Sequence, residues 1–440
     1  MRGNNEVRRG NRALMYCTFD GVANLYHGIG TQTRYLVSCL SSSHAELIDA
    51  VGSFDVHLLV PDANSSRPGY AIDEVQLADN RALIDSAGIT LWELAHDDSR
   101  LFHIAKWHQL CAEAAKVVGH LLDSYDEVLV VAVDAIYCLL AEHLDRELVP
   151  SQWQRTKLVY TLYSSSRIPG TSATPGRDDG EAACVARANS DPRVFLANVG
   201  TYFSRHLVED YGLDPARLLP FIQALSLDEP ELTRVDRERA VEEVRSWGIP
   251  LDRPIVFSFG RADPIKGLDR AIRAVTPLRG RIHFVLIAAP YTDDDPEIAK
   301  YRSMLDESGL RNTFVTKFSR SLPRGLCSLG ETVVVLSSSL GEPCGQVPQE
   351  AALWADGGGP VVIVPDEGGL GEQIVPGMTG LVFPQGDIAA MTDQVRVALD
   401  MSGDERRRMC EAAAAKVRAE RDFTASLRAF LETAWVVNRG

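Results

Sequence analysis

Short apolar runs rich in β-branched residues alternate with longer amphipathic stretches along the whole chain. Such runs are typical of buried parallel strands, and the stretches between them have the spacing of helices. In the first half of the chain, strands are predicted over residues 13–17, 55–60, 127–131, 157–162 and 194–197. In the second half, strands are predicted over residues 254–260, 282–288, 313–317, 332–336, 360–364 and 380–383. The alternation predicts an α/β protein with parallel sheets.

Helices are predicted where apolar positions recur every three or four residues. These helices cover residues 31–41, 98–123, 202–211 and, with a break near 421–423, residues 404–437. Residues 167–189 are instead rich in Gly, Ser, Pro, Asp and Arg, which predicts a mobile loop.

The chain has 440 residues, which is too long for one ordinary core, so two domains are expected. Both halves open with a strand, a glycine-containing loop and a helix. The predicted domains cover residues 1–222 and 253–420, with a charged linker or hinge over 223–252 and a terminal segment over 421–440.

The composition of the chain excludes some classes of binding partner and some kinds of site. The net charge of −15 argues against a nucleic-acid or anionic-membrane partner. The eight cysteines are scattered without a Cys-x-x-Cys pair, which favours reduced thiols over a disulfide framework or a zinc site. The start of the chain lacks the apolar core of a secretory signal, and no apolar run approaches membrane-spanning length. A cytoplasmic protein without integral membrane association is expected.

Two glutamates carry the most informative pattern in the chain. Glu342 lies in the turn after the predicted strand 332–336, and Glu350 lies eight positions later on the helix that follows. Two carboxylates beside a helix N-terminus suit a nucleotide-sugar, because free N–H groups can bind phosphate and carboxylates can bind sugar hydroxyls. The alternative interpretation is a pair of solvated helix carboxylates.

A second pattern supplies positive charge. The strand 254–260 is followed by a loop with Arg261 and Lys266, and a helix is predicted to begin near Leu268. An Arg and a Lys on one loop at the end of a strand can hold a diphosphate. Taken alone, however, Arg261 and Lys266 are better explained as two solvated loop cations.

The first loop of the chain also contains glycines before a helix. His27, Gly28 and Gly30 follow the first strand, and such a loop lets the backbone approach phosphate or sugar closely. Thr33 stands where a third glycine of a dinucleotide-binding fingerprint would be, so a dinucleotide oxidoreductase is disfavoured.

The two patterns of the second half resemble one known family. The sequences Gly-Arg-x-x-Pro-x-Lys-Gly-x-Asp and Gly-Glu-Pro-x-Gly-x-x-x-x-Glu-Ala are similar to those of the retaining GT-B glycosyltransferases of family 4. The resemblance is strong over residues 253–390 and weaker in the first half. It implies two Rossmann-like domains facing each other across a cleft. The first would bind the acceptor, the second the nucleotide-sugar, and residues 421–440 would cross back to the first domain.

The resemblance also implies roles for individual residues of the second half. Arg261 and Lys266 would hold the donor diphosphate and stabilise charge on the leaving group. Glu342 would bind hydroxyls of the donor sugar, and Glu350 would bind the ribose. The donor would also contact the start of the helix and the residue before it, that is Cys344, Gly345, Gln346 and Val347. Cys344 stands where phenylalanine is common, so it is expected to be a smaller packing residue beside the sugar.

Departures from the family pattern fall in the first half. His27 replaces the first glycine of the loop that contains Gly28 and Gly30, so it either touches substrate or lies on a surface turn. Tyr163 stands where family members often have a histidine that contacts the donor sugar, and a tyrosine is a poor base at neutral pH. Asp134 and Arg167 are further candidates for the acceptor side, and Asp134 fits a local turn cap as well.

The sequence therefore predicts a retaining glycosyltransferase that moves a hexose-type sugar from a nucleotide-sugar to a small soluble acceptor. UDP is the expected donor nucleotide because it is the commonest in such enzymes, and a secondary-metabolite acceptor is one alternative. The resemblance implies a front-side mechanism without metal or cofactor, in which the leaving phosphate takes the acceptor's proton. A nucleotide-sugar-binding protein without catalysis, another GT-B enzyme such as an epimerase, and a homodimeric state remain open.

Overall fold

The computed structural model describes residues 11–23, 28–62, 74–95, 102–168, 174–290 and 294–436. Two compact units make up the chain. Unit 1 comprises Met1–Arg167, Thr171–Ser226 and Phe423–Gly440, and unit 2 comprises Ile168–Gly170 and Leu227–Asp422. Residues 227–252, which belong to the segment expected as a linker, thus lie in unit 2, where Ala240 and Val244 are buried in the core.

Unit 1 is built on a parallel sheet that has seven strands within the described ranges. Its strands are β1 (Arg12–Cys17), β2 (Asp55–Pro61), β3 (Thr90–Leu94), β4 (Glu127–Val133), β5 (Thr156–Thr161), β6 (Val194–Asn198) and β7 (Leu218–Pro220). They lie side by side in the order β3-β2-β1-β4-β5-β6-β7. Strand β1 and residues 128–133 of β4 lie at the centre and are buried on both faces, which is why they are continuously apolar apart from Arg12.

Helices cover both faces of this sheet. In chain order they are α1 (Gly28–Val51), α2 (Glu74–Ser86), α3 (Ile104–Leu121), α4 (Leu140–Glu147), α5 (Pro150–Trp153), α6 (Arg177–Ser190) and α7 (Thr201–Tyr211). Of the sequence-predicted elements, the strands of this half are confirmed to within two residues at each end. Strands β3 and β7 and helix α2 were not predicted, because the two strands are short and α2 is only weakly amphipathic.

Unit 2 contains the second parallel sheet, with six strands among the described residues. Its elements are α8 (Arg237–Ser246), β8 (Ile255–Arg261), α9 (Leu268–Val275), β9 (His283–Ala289), α10 (Pro296–Ser308), β10 (Asn312–Val315), α11 (Ser321–Cys327), β11 (Thr332–Leu336), α12 (Val347–Trp354), β12 (Val361–Pro365), α13 (Gly368–Gly371), β13 (Leu381–Phe383), α14 (Ile388–Asp400) and α15 (Gly403–Glu420). The strand order is β10-β9-β8-β11-β12-β13. Strand β11 has the predicted bounds, and the predicted break near 421–423 separates α15 from α16 (Phe423–Val436).

Two predictions about loops are wrong. The segment 167–189, predicted as a mobile loop, contains most of helix α6. Asp178 and Asp179 lie in the first turn of α6, where carboxylates favour a helix, and Arg177 pairs with Glu181 one turn later. The glycine loop before α1 is also shorter than predicted, because Gly28 and Gly30 already belong to the first turn of the helix.

Helix α16 completes unit 1. Its Phe430 ring stacks on Phe221 with the ring centroids 4.6 Å apart, and Trp435 packs against Phe54 at 4.9 Å. The backbone N–H of Phe423 donates to the carbonyl of Leu225, at 2.9 Å. The last helix of the chain is therefore part of the core of unit 1. No helix among the described residues has the length and apolar character needed to span a membrane.

Replacement of Phe430 by alanine tests the packing of this helix. Phe430 is fully buried, so Phe430→Ala should lower the free energy of unfolding of unit 1 by about 3–5 kcal/mol. Val436→Ala is the matched control, because Val436 lies on the same helix and is 66% exposed. Denaturant unfolding followed by circular dichroism measures both. Equal stability of the two variants would show that α16 does not contribute to the core.

Candidate donor site and acceptor-side residues

Two loops of unit 2 meet at the carboxyl edge of its sheet. Strands β8 and β11 are parallel neighbours, so the loops that follow them leave the sheet on the same side. The first loop connects β8 to α9 and carries Arg261 and Lys266. The second connects β11 to α12 and carries Glu342. The topology thus brings together two segments that are more than seventy residues apart in sequence.

The two loops are held against each other by hydrogen bonds to their backbone and by a close approach at Gly267. The hydroxyl of Ser338 donates to the carbonyls of Lys266 and Gly267, at 3.2 and 2.7 Å. A Cβ atom on Gly267 would lie 2.2 Å from the carbonyl oxygen of Ser338, and Gly267 has a φ of 63°. The backbone N–H of Leu340 donates to the carbonyl of Ile265, at 2.8 Å. A residue with a side chain at position 267 would therefore push the loops apart.

Lys266 and Glu342 form an ion pair across the two loops. The ammonium nitrogen of Lys266 lies 2.7 and 2.6 Å from the two carboxylate oxygens of Glu342. The side chains are 21% and 18% exposed, so the pair is partly shielded from water. Arg261 lies beside Asp263, with 3.9 Å between guanidinium nitrogen and carboxylate oxygen. The predicted cations are thus brought together with Glu342, and each has a carboxylate next to it.

The charge state of Glu342 follows from this pairing. Burial of the carboxyl group raises its pKa, but the Lys266 ammonium and hydrogen bonds from Lys266 and Ser339 outweigh burial. The pKa of Glu342 is therefore held below its ordinary value, and the carboxylate is ionised at neutral pH.

Glu350 has different neighbours. It lies in the first turn of α12, and burial raises the pKa of its carboxyl group above the ordinary value. Electrostatic attraction to Arg320 opposes this shift, whereas repulsion from Glu231 adds to it. Arg320 itself pairs with Glu231, with 3.0 Å between nitrogen and oxygen. Sequence reasoning did not single out Arg320, which lies outside both motifs.

The segment between the two glutamates is fixed by helix α13. The N–H of Gly369 donates to the carbonyl of Glu342 at 2.7 Å, and a Cβ atom on Gly369 would lie 1.8 Å from the carbonyl oxygen of Pro343. The side-chain amide of Gln373 donates to the carbonyl of Gly345, at 3.0 Å. These supporting residues were missed as site residues, although the glycine-rich sequence 368–371 is a visible signal. Their contacts hold the backbone that carries Glu342.

The remaining donor candidates lie at the start of α12. Cys344 is a half-buried cysteine, and Gln346 is the residue just before Val347, where the helix begins. The first N–H groups of a helix have no partner within it, so this end can accept an anionic or hydroxyl ligand.

In unit 1, the first turn of helix α1, which contains Gly28 and Gly30, lies against the acidic residue Asp20. A Cβ atom on Gly30 would lie 2.7 Å from the carboxylate of Asp20, which is buried and accepts a hydrogen bond from the N–H of Gly21, at 2.8 Å. Gly28 opens helix α1 and is exposed. His27 lies outside the described residues.

Asp134 has the most unusual backbone of the candidates. It follows β4 at the carboxyl edge of the sheet, with φ 61° and ψ −178°, a region that is almost restricted to glycine. Its buried carboxylate accepts hydrogen bonds from the hydroxyl of Ser164, at 3.0 Å, and the N–H of Tyr163, at 3.4 Å. Burial raises the pKa of Asp134, and the nearby Arg177 opposes that rise. A strained, buried carboxylate at this edge is a reason to expect a function for Asp134.

The side chains of Tyr163 and Arg167 both contact other residues of unit 1. The side chain of Tyr163 is hydrogen-bonded to that of Tyr16, a buried residue of β1. The guanidinium of Arg167 donates to Asp178 at 2.7 Å and lies over the ring of Tyr211, 3.9 Å from its centroid. Within the described ranges, no group of three His, Cys, Asp or Glu side chains is placed to hold a metal ion.

The contact at Gly267 gives a testable expectation. Gly267→Ala should destabilise unit 2 by more than the roughly 1–2 kcal/mol that a left-handed backbone costs a non-glycine residue. Gly309→Ala is the control, because Gly309 has a φ of 64° and open space where a Cβ would stand. Denaturant unfolding of both variants measures the difference. If the two lose the same stability, the close approach of Gly267 to Ser338 does not constrain the loops.

A model of a known protein family matches the segment of the chain that contains this site. Residues 241–417 match the family model described as Glycosyl transferases group 1. The chain is 25% identical over 271 residues to a D-inositol 3-phosphate glycosyltransferase of Acidothermus cellulolyticus, a match that covers 57% of this chain and 56% of the relative. It is 26% identical over 215 residues to a protein of the same name from Mycobacterium tuberculosis, covering 48% and 42%. The chain thus spans about half the length of the curated relatives it matches.

Solved structures extend the likeness to nearly the whole chain. Sucrose-phosphate synthase from Thermosynechococcus elongatus has a TM-score of 0.69 at 16% identity, covering 97% of this chain and 98% of that chain. The Anabaena protein HepE in complex with UDP-glucose has a TM-score of 0.68 at 13% identity, covering 96% and 99%. At such identities the likeness shows the fold, and it confirms the predicted class of two parallel-sheet α/β domains of GT-B type.

Proposed function

We propose that the protein is a retaining glycosyltransferase that moves a hexose-type sugar from a nucleotide-sugar, bound by unit 2, to a small acceptor bound by unit 1. The observation that carries the proposal is the meeting of Arg261, Lys266 and Glu342 at the carboxyl edge of the unit 2 sheet, beside the start of α12. Open α/β sheets bind ligands at this edge, and this group offers both cations for phosphate and a carboxylate for hydroxyls.

Each group has a distinct part in donor binding. Arg261 and Lys266 bind the diphosphate and stabilise the negative charge that develops as it leaves. Glu342 accepts hydrogen bonds from sugar hydroxyls, and Glu350 accepts them from the ribose. The phosphate or sugar lies against Val347, which opens α12, and against Gly345 and Gln346 just before it. Cys344 packs beside the sugar.

The reaction proceeds on one face of the sugar, without a metal. As the bond between the anomeric carbon and the phosphate oxygen breaks, the acceptor oxygen bonds to the same face of the carbon, and its proton passes to the leaving phosphate. No protein base is needed in this scheme. This agrees with a tyrosine at position 163, because the scheme requires no base there.

The acceptor is a small polyhydroxyl compound. Asp134 is the strongest acceptor-side residue, because its buried carboxylate is held in a strained backbone at the edge of the sheet. The curated relatives are named for D-inositol 3-phosphate, and one solved structure of the same fold holds UDP-glucose. A UDP-sugar and a cyclitol-type alcohol are therefore the first substrates to test.

A thermal-shift screen against UDP-, GDP- and ADP-sugars identifies the donor. A ligand present at 100 times its dissociation constant stabilises the folded protein by about 2.7 kcal/mol, which is readily measured. Release of nucleoside diphosphate from the donor then separates a transferase from a protein that only binds the nucleotide-sugar.

Removal of the Lys266 ammonium should stop turnover. We expect Lys266→Ala to lower the rate of sugar transfer by roughly 10²–10³-fold or more, because a charge-stabilising contact in the transition state is lost. Lys300→Ala is the control, since Lys300 is a surface lysine of the same unit that pairs with Glu297. Near-normal turnover of a folded Lys266→Ala protein would contradict the diphosphate assignment.

The stereochemistry of the product tests the mechanism. Transfer on one face predicts that the anomeric configuration of the donor is kept in the product. Proton NMR of the first product formed, recorded before any spontaneous anomerisation, distinguishes the two configurations. An inverted product would overturn the mechanistic class while leaving glycosyl transfer intact.

A further inference from the structure

Both cations assigned to the donor diphosphate already have carboxylate neighbours. Lys266 contacts both carboxylate oxygens of Glu342, at 2.7 and 2.6 Å, and Arg261 lies 3.9 Å from Asp263. The four charges of this cluster sum to zero. A diphosphate that approaches Lys266 therefore meets a cation whose charge is largely compensated, with the Glu342 carboxylate beside it.

The geometry makes Glu342 and the diphosphate compete for the same ammonium group. A lysine has three N–H donors, and Glu342 is within hydrogen-bond distance through both of its oxygens. Like charges brought close in a partly shielded site repel each other, so a phosphate oxygen bound to Lys266 favours movement of Glu342 away from it. The pair is 21% and 18% exposed, which limits screening by water and salt.

The backbone around Glu342 is held in place, so an exchange of partners requires only its side chain to move. Its carbonyl is held by the N–H of Gly369, at 2.7 Å, and the preceding Gly341 has its N–H bonded to the side chain of Gln385, at 3.2 Å. On the other side of the pair, Ser338 fixes the backbone of Lys266 and Gly267. Donor binding can therefore exchange the partners of two side chains without displacing either loop.

We propose that Glu342 selects sugar-bearing nucleotides over bare nucleotides by exchanging its partner, an inference that rests on the proposed donor site. A nucleoside diphosphate breaks the contact between Lys266 and Glu342 and offers the carboxylate no new donor in place of the ammonium, although the hydrogen bond from Ser339 remains. A nucleotide-sugar breaks the same contact, but its sugar hydroxyls then donate to the released carboxylate. The cost of breaking the ion pair is thus recovered only when a sugar is attached.

The same exchange favours product release. After transfer, the bound product is a nucleoside diphosphate without its sugar, so Glu342 has lost the hydroxyls that it accepted from. Its carboxylate then returns to Lys266 and competes with the phosphate that is leaving. Glu342 thereby weakens product inhibition as well as binding the donor.

The test compares the dissociation constants of UDP and UDP-glucose, measured by calorimetry, for the wild-type protein and Glu342→Gln. The substitution removes the competing charge, so UDP should bind about tenfold more tightly, whereas UDP-glucose should gain less or lose affinity. Glu331→Gln is the control for net charge. Glu331 pairs with Arg237 and directly precedes β11, at the opposite edge of the sheet, so both constants should stay within about twofold.

The outcomes separate this inference from the proposed function. If the wild-type protein binds UDP but Glu342→Gln binds it no more tightly, the exchange is wrong and the donor site stands. If the wild-type protein binds none of the UDP, GDP and ADP compounds, the proposed function fails and the exchange fails with it. If Glu342→Gln does not fold, a structure of the wild-type complex with UDP-glucose decides: the Lys266–Glu342 contact should be broken, and its persistence would overturn the proposal.

Discussion

The contact between the turn at Gly267 and the carbonyl of Ser338 is the constraint on which the candidate donor site depends. It joins the loops after β8 and β11 so closely that no side chain fits at position 267. As a result Lys266 and Glu342, which are far apart in sequence, lie within 2.7 Å of each other. The parallel pairing of the two strands brings the loops to one edge, and this contact then sets the distance between the charges.

Charge compensation is the main property of the site. Arg261 and Lys266 each lie beside a carboxylate, and Glu342 stays ionised because its neighbours lower its pKa against the effect of burial. A partly buried cation is costly unless it is paired, so the ion pair stabilises the site before any ligand arrives. A nucleotide-sugar can replace both partners of this ion pair, because its phosphate binds Lys266 and its sugar hydroxyls bind Glu342. A nucleotide without a sugar replaces only the partner of Lys266, so the pairing lets the protein distinguish the two ligands.

Unit 1 shows a different physical arrangement at the equivalent edge of its sheet. Asp134 is held in a backbone conformation that few residues other than glycine adopt, and its carboxylate is buried. Hydrogen bonds from Ser164 and Tyr163 keep it there, and Arg177 lies close enough to influence its pKa. Strain that is retained in this way points to a requirement other than stability, and the acceptor-side role that we propose for Asp134 rests on it.

Apolar runs determined the α/β class, the presence of two domains and all strands except β3 and β7, because buried parallel strands need continuous apolar sequence. The two motifs also determined which charged residues to examine in the second half. Only the tertiary structure decided that Lys266 bonds to Glu342 rather than standing free, that α6 replaces a loop, and that Gly369 supports the site. These features depend on contacts between segments that are distant in sequence. Local sequence preference predicts helices and strands, but it does not predict how closely two loops approach each other at the edge of a sheet.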